Sequence, residues 1–112
     1  MKHESIKTFQ DACKKMGIEL VTVIHTAMKL EIIRNAITDN FKPDYSNEDQ
    51  RKWFPWFEYD PSASAFRFGG SRYVHTHATA ASGPRLCCET EEQSDWFGTQ
   101  FIAEWNEFFT IN

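Results

Sequence analysis

Arg51-Lys-Trp-Phe-Pro-Trp-Phe-Glu-Tyr59 gathers five of the chain's seventeen aromatic residues into nine positions. Extended, the run puts Trp53, Phe57 and Tyr59 on one side and Phe54, Trp56 and Glu58 on the other. One side is therefore expected to pack beneath a helix, leaving the other partly open to solvent. Pro55 has no amide hydrogen for a ladder, so this strand should lie at a sheet edge or begin only after the proline.

Downstream, β-branched and aromatic residues are cut by Pro and Gly, predicting short strands near 54–59, 64–69, 72–78 and 84–88. Turns are expected at Asp60-Pro-Ser62, Gly69-Gly70 and Ala81-Ser-Gly-Pro84. Strands so close together can be joined only as an antiparallel meander, because parallel strands need long crossovers. Phe66 and Phe68 alternate with Arg67 between them. Thr90-Glu-Glu-Gln93 then reads as a capping box opening a helix over 91–109. Phe97, Phe101, Trp105 and Phe108 share a face of that helix with Ser94 and Gly98. Glu89, Glu91 and Glu92 sit where negative side chains offset the exposed amides of its first turn, which explains them without catalysis.

Upstream, Ile6, Phe9, Cys13 and Met16 predict a helix over 3–16, capped by Ser5 or the residues before it and closed by Gly17. Residues 18–24 are ambiguous between strand and helix. Leu30, Ile33 and Ile37, flanked by Ile32 and Ala36, predict a second, largely covered helix from about Thr26 to about Asp39. Asn40 to Asn47 reads as an irregular connection. The expectation is one α+β domain over 1–112: mainly helical over 1–50, an antiparallel sheet over 51–89, a C-terminal helix over 90–109. Three or four strands would pack against that helix and an N-terminal helical pair.

The chain has 112 residues, a 41% apolar composition and ten Phe, enough for one core and too apolar for disorder. No run approaches the roughly 18 apolar residues of a membrane span, and the start lacks the apolar stretch of a secretory signal. Three cysteines, two of them adjacent, form no even disulfide framework and read as reduced thiols of a cytoplasmic protein. Residues 1–52 carry nine basic against eight acidic side chains, and residues 53–112 three against eight, making the net charge −4. So acidic a C-terminal half argues against duplex nucleic acid as a ligand, whereas a basic protein surface is easily accommodated.

Phe41-Lys-Pro-Asp-Tyr-Ser46, Lys52-Trp-Phe-Pro-Trp-Phe57, Arg85-Leu-Cys87 and Phe97-Gly-Thr-Gln-Phe101 together resemble a family of small proteins from phages, prophages and Bacteroides-type gut bacteria. The resemblance spans about residues 26–109. The chain departs from the family pattern at Cys88, where an aromatic residue is usual, and near His75 and His77, where aromatics are frequent. The family has no assigned activity, so the resemblance implies a phage-linked accessory role and assigns no site residue.

His75 and His77 alternate on an expected strand, and with Cys87 or Cys88 they make a three-ligand zinc candidate, with His3, His25, Glu89 or water as the fourth ligand. Their spacing is not that of a zinc finger, and adjacent cysteines are poor co-ligands, so no metal or other cofactor is expected. The same residues could pair as thiolate and imidazole, but no oxyanion site accompanies them. The expected role is non-catalytic binding of a protein partner, a second copy of the chain included. Trp56, Tyr73, Trp96 and Arg67 form the expected contact surface. The alternatives are a zinc protein and a single-strand binder using Lys52, Arg67, Arg72 and Arg85 against phosphates.

Overall fold

The aromatic run forms β1, Lys52–Asp60, which pairs antiparallel with β2, Ala65–Val74, from Lys52↔Val74 to Asp60↔Ala65. This computed structural model describes residues 3–19, 26–44, 46–47, 49–74 and 86–110. The helices are α1, Phe9–Met16; α2, Thr26–Thr38; α3, Glu91–Gln100; and α4, Ile102–Thr110, with a 3₁₀ turn at His3–Ser5 before α1. Much of the ambiguous 18–24 segment lies outside the described residues.

Among the described residues the sheet has two strands, which corrects the expectation of three or four. The expected strand at 64–69 and the described part of the one at 72–78 are a single strand, because Gly69-Gly70 lies within β2 instead of turning the chain. Pro55 pairs with Ser71 and Phe57 with Phe68, so Trp56 alone stands opposite both glycines. The pair is thus a β-bulge, and Gly70 at φ 103° takes up the conformation that a side chain would resist. Of the expected strand at 84–88, residues 84 and 85 lie outside the described residues, and the rest contributes one antiparallel bridge, Trp53↔Cys88. Trp53 N–H donates to Cys88 O at 2.9 Å and Cys88 N–H to Trp53 O at 2.6 Å. Pro55, two residues along, therefore turns its donorless nitrogen toward this same edge and away from β2.

Asp60 closes the hairpin: its Oδ1 accepts from Ser62 N–H at 3.0 Å and from Ser62 Oγ at 2.6 Å. These bonds hold the Asp60 carboxyl below its usual range, and they place the turn where Asp60-Pro-Ser62 predicts it.

Thr8, not Ser5, caps α1. Thr8 Oγ1 accepts from Asp11 N–H at 3.0 Å, and Asp11 Oδ2 accepts from Thr8 N–H at 3.2 Å. Gly17, at φ 68°, ends the helix as expected, with Ile18 N–H reaching back to Cys13 O at 2.9 Å. A similar left-handed closure ends α2 without glycine, through Asp39 at φ 53° and Asn40 at φ 61°. Lys15 of α1 fastens that end, its Nζ 2.6 Å from Asp39 Oδ1 and donating to Ala36 O.

The expected 91–109 helix is two helices that break at Phe101, whose φ and ψ are −109° and 28°. Trp105 Nε1 donates to Phe97 O at 3.1 Å, so an indole serves a carbonyl near the end of α3. The capping box at its start forms as read, with Gln93 N–H donating to Thr90 Oγ1 at 3.1 Å and Thr90 N–H to Gln93 Oε1 at 3.2 Å.

One hydrophobic cluster joins Ile6, Phe9, Ala12 and Cys13 to Leu30, Ile33, Ala36 and Ile37, and these to Phe97, Phe101 and Trp105. The core thus lies mainly between helices, and the hairpin forms one wall of it. Gly98 lets α3 settle directly onto that wall: a Cβ there would lie 2.4 Å from Phe68 Cδ1 and 2.8 Å from Pro55 Cβ. Farther along, Asn106 substitutes for a neighbouring strand. Its Oδ1 accepts from Phe66 N–H at 2.7 Å and its Nδ2 donates to Phe66 O at 2.9 Å.

Two buried cations tie loops to this core. Lys52 Nζ donates to Asn47 O and Gln50 O, each at 2.9 Å. Arg34 Nε donates to Cys87 O at 2.6 Å, while its guanidinium lies 5.6 Å from the Phe41 ring centroid. Burying either charge without such carbonyls would cost several kcal/mol, so both ties are structural.

Candidate functional site

The hairpin has a filled face and an open one. Pro55 is buried, and Phe57 packs on Trp105 at a centroid distance of 4.8 Å, so alternation assigns Trp53, Pro55, Phe57 and Tyr59 to the helix side. Phe54, Trp56 and Glu58 point the other way, where the cross-strand pairs Phe54↔Arg72 and Glu58↔Arg67 bring two arginines alongside them.

The bulge creates this grouping. Arg67 and Arg72 are five residues apart, an odd spacing that sends side chains to opposite faces of a regular strand. The extra residue at Gly69-Gly70 shifts the phase by one and returns Arg72 to the side of Arg67. On that face Trp56 is 47% exposed and the Arg72 guanidinium carbon lies 5.4 Å from its ring centroid, a cation–π contact. Arg67 Nη2 reaches Glu58 Oε1 at 3.6 Å in an exposed ion pair of small energetic weight.

Tyr73 is also exposed, at 42%, but it pairs with Trp53 and so belongs to the helix side of the ribbon. It forms a second cluster there: its ring lies 4.8 Å from Trp53, and the Arg51 guanidinium stands 4.6 Å from its centroid. Trp56 and Tyr73 therefore cannot meet one flat partner surface together. Trp96 is only partly exposed. Its Nε1 donates to Ile6 O at 2.8 Å and its ring meets His3 edge-on at 6.0 Å, docking the N-terminal segment onto α3. Tyr59, 55% exposed against Phe66 near α4, was not singled out by sequence. The phase change at Gly69-Gly70 was missed as well, although two arginines at odd spacing around a Gly pair are its signature.

Cys87 and Cys88 are both buried, whereas His75 and His77 lie outside the described residues. Burial pushes the Cys88 thiol far above its ordinary range, which keeps it protonated and poorly nucleophilic at neutral pH. Among the described residues, no group of three or more His, Cys, Asp or Glu is placed to hold a metal ion. Lys52, expected to meet phosphate in the single-strand reading, is fully buried, and Arg85 lies outside the described residues. Among the described residues, no helix is long and apolar enough to cross a membrane.

Comparison with family models, with curated proteins and with solved structures gives no match. What the geometry itself supports is an α+β protein whose hairpin carries an aromatic surface suited to contact with another protein.

Proposed function

We propose that the chain is a non-catalytic, phage-linked accessory protein of the cytoplasm that binds a protein partner through the open face of its β1–β2 hairpin. The observation carrying this reading is Trp56: a large indole at the middle of a strand, nearly half exposed and overlain by Arg72. Trp and Arg are the side chains most enriched at the energetic centres of protein interfaces. The neighbours of Trp56, Pro55 and Phe57, are both fixed in the ladder with β2, so part of the ordering that binding would require is already in place. The accessory role draws on the resemblance of Lys52-Trp-Phe-Pro-Trp-Phe57 and Phe97-Gly-Thr-Gln-Phe101 described above.

The test is affinity capture with the immobilised chain and its Trp56→Ala variant, run side by side under crosslinking. A protein retained by the first and lost with the second is the expected result. Identical capture by both would remove the open face from the interface.

A further inference from the structure

We infer that the partner segment that seats on the open face is acidic and extended, with Arg72 as its charge anchor and Trp56 as its platform. This rests on the proposed binding role and gives it a chemistry.

Residues 53–112 hold eight acidic side chains and three arginines. Two of those arginines, Arg67 and Arg72, share this one face, and only the bulge makes them share it. The face thus gathers two of the three arginines of an otherwise acidic half, and Arg67 already faces Glu58 across the ladder. Of the two carboxylates that β1 gives this face, Glu58 is occupied by Arg67 at 3.6 Å and Asp60 is held by Ser62 through its amide and its hydroxyl. Arg72 has an aromatic ring beneath it, and no carboxylate among the described residues pairs with it. A guanidinium held against an indole face keeps its N–H donors for a carboxylate, which it can pair with bidentately. Apolar side chains alternating with carboxylates along an extended segment would meet Trp56 and Phe54, the latter lying directly across from Arg72.

The same charges argue against the other occupants. A second copy docked face to face would offer Arg72 only carboxylates already engaged, Glu58 by Arg67 and Asp60 by Ser62. A nucleic-acid strand would meet a chain of net charge −4 whose Lys52 is fully buried.

The test uses the full chain and four probes: a fluorescein-labelled peptide of alternating Glu and Val, its Gln and Val counterpart, labelled oligo(dT), and sedimentation of the chain alone. Saturable binding of the Glu peptide is expected, weakened about tenfold by Arg72→Gln and by Trp56→Ala, and falling with added salt. Circular dichroism of each variant verifies the fold. Equal binding of the Gln peptide would overturn the inference, as would tighter binding of oligo(dT). Self-association abolished by Trp56→Ala would overturn it in favour of a second copy. If no Glu peptide binds while crosslinked capture still depends on Trp56, the acidic chemistry is wrong and the binding role stands. If capture is indifferent to Trp56, the binding role itself is lost.

Discussion

Replacing Gly98 by alanine tests the seat on which the hairpin rests. In an isolated helix the change is favourable by about 1 kcal/mol, because alanine restricts the unfolded chain and suits helical backbone. Here the new methyl carbon would stand 2.4 and 2.6 Å from the Phe68 ring and 2.8 Å from Pro55 Cβ. Carbon atoms prefer separations of about 3.5–4.0 Å, so α3 must retreat from the sheet by roughly 1 Å. Neither neighbour yields easily. Pro55 belongs to a strand held by β2 on one side and by the Trp53↔Cys88 bridge on the other, and the Phe68 ring is backed by Phe57 at 6.2 Å. Overpacking of this kind costs about 1–3 kcal/mol, and two rigid partners set it at the upper end. Offsetting the helix gain leaves a net loss of about 2 kcal/mol, a fall in Tm of roughly 8 °C for a chain of this size. Urea and thermal unfolding of Gly98→Ala measure it. In a Phe68→Leu background the penalty should shrink by at least half, since the two changes relieve one contact. A Gly98→Ala protein as stable as the parent would refute the packing of α3 against Pro55 and Phe68.

Three further expectations concern the bulge, a surface ion pair and the thiols. Gly70→Ala forces a side chain into φ 103° and should cost about 1–3 kcal/mol, with altered tryptophan fluorescence as Arg72 leaves Trp56; an unchanged melt would argue against the bulge. The Lys15 hydrogen bond, assisted by its charge, holds the Asp39 carboxyl below the usual range. A depressed folded-state value stabilises above the unfolded value of about 3.9 and is lost as pH falls through the folded one. Asp39→Asn should therefore be slightly less stable than the parent at neutral pH, the exposed site keeping the loss small, and equal to it in strong acid; a gap that persists there would refute the pairing. Cys13, Cys87 and Cys88 are all buried, and burial raises the Cys13 and Cys88 thiols. All three should react with a thiol reagent only as fast as the fold opens, and at once in denaturant; a fast-reacting thiol in the native chain would contradict their burial.

The sequence by itself determined whatever depends on a residue and its near neighbours. Thr90 and Gln93 satisfy each other's amides wherever the helix ends up, and Asp60 bonds Ser62 through its own reach. Gly17 tolerates φ 68° because it lacks a side chain, and Leu30, Ile33 and Ile37 line up on one face of any helix. Gly69-Gly70 likewise announced a position of positive φ. Whether that freedom made a turn or a bulge depended on which residues stood across the ladder, and only the pairing of β2 with β1 decided it. The same holds for the strand count, because a Trp53↔Cys88 bridge spans thirty-five positions and leaves no local mark. Trp56 and Trp96 are alike in the sequence reading, each an indole expected at the contact surface. The carbonyl of Ile6, ninety residues from Trp96, ties down one of them, whereas the other stays 47% exposed with Arg72 over its ring. Local backbone preference is written in each side chain's own sterics, whereas exposure is a property of what the rest of the chain brings alongside.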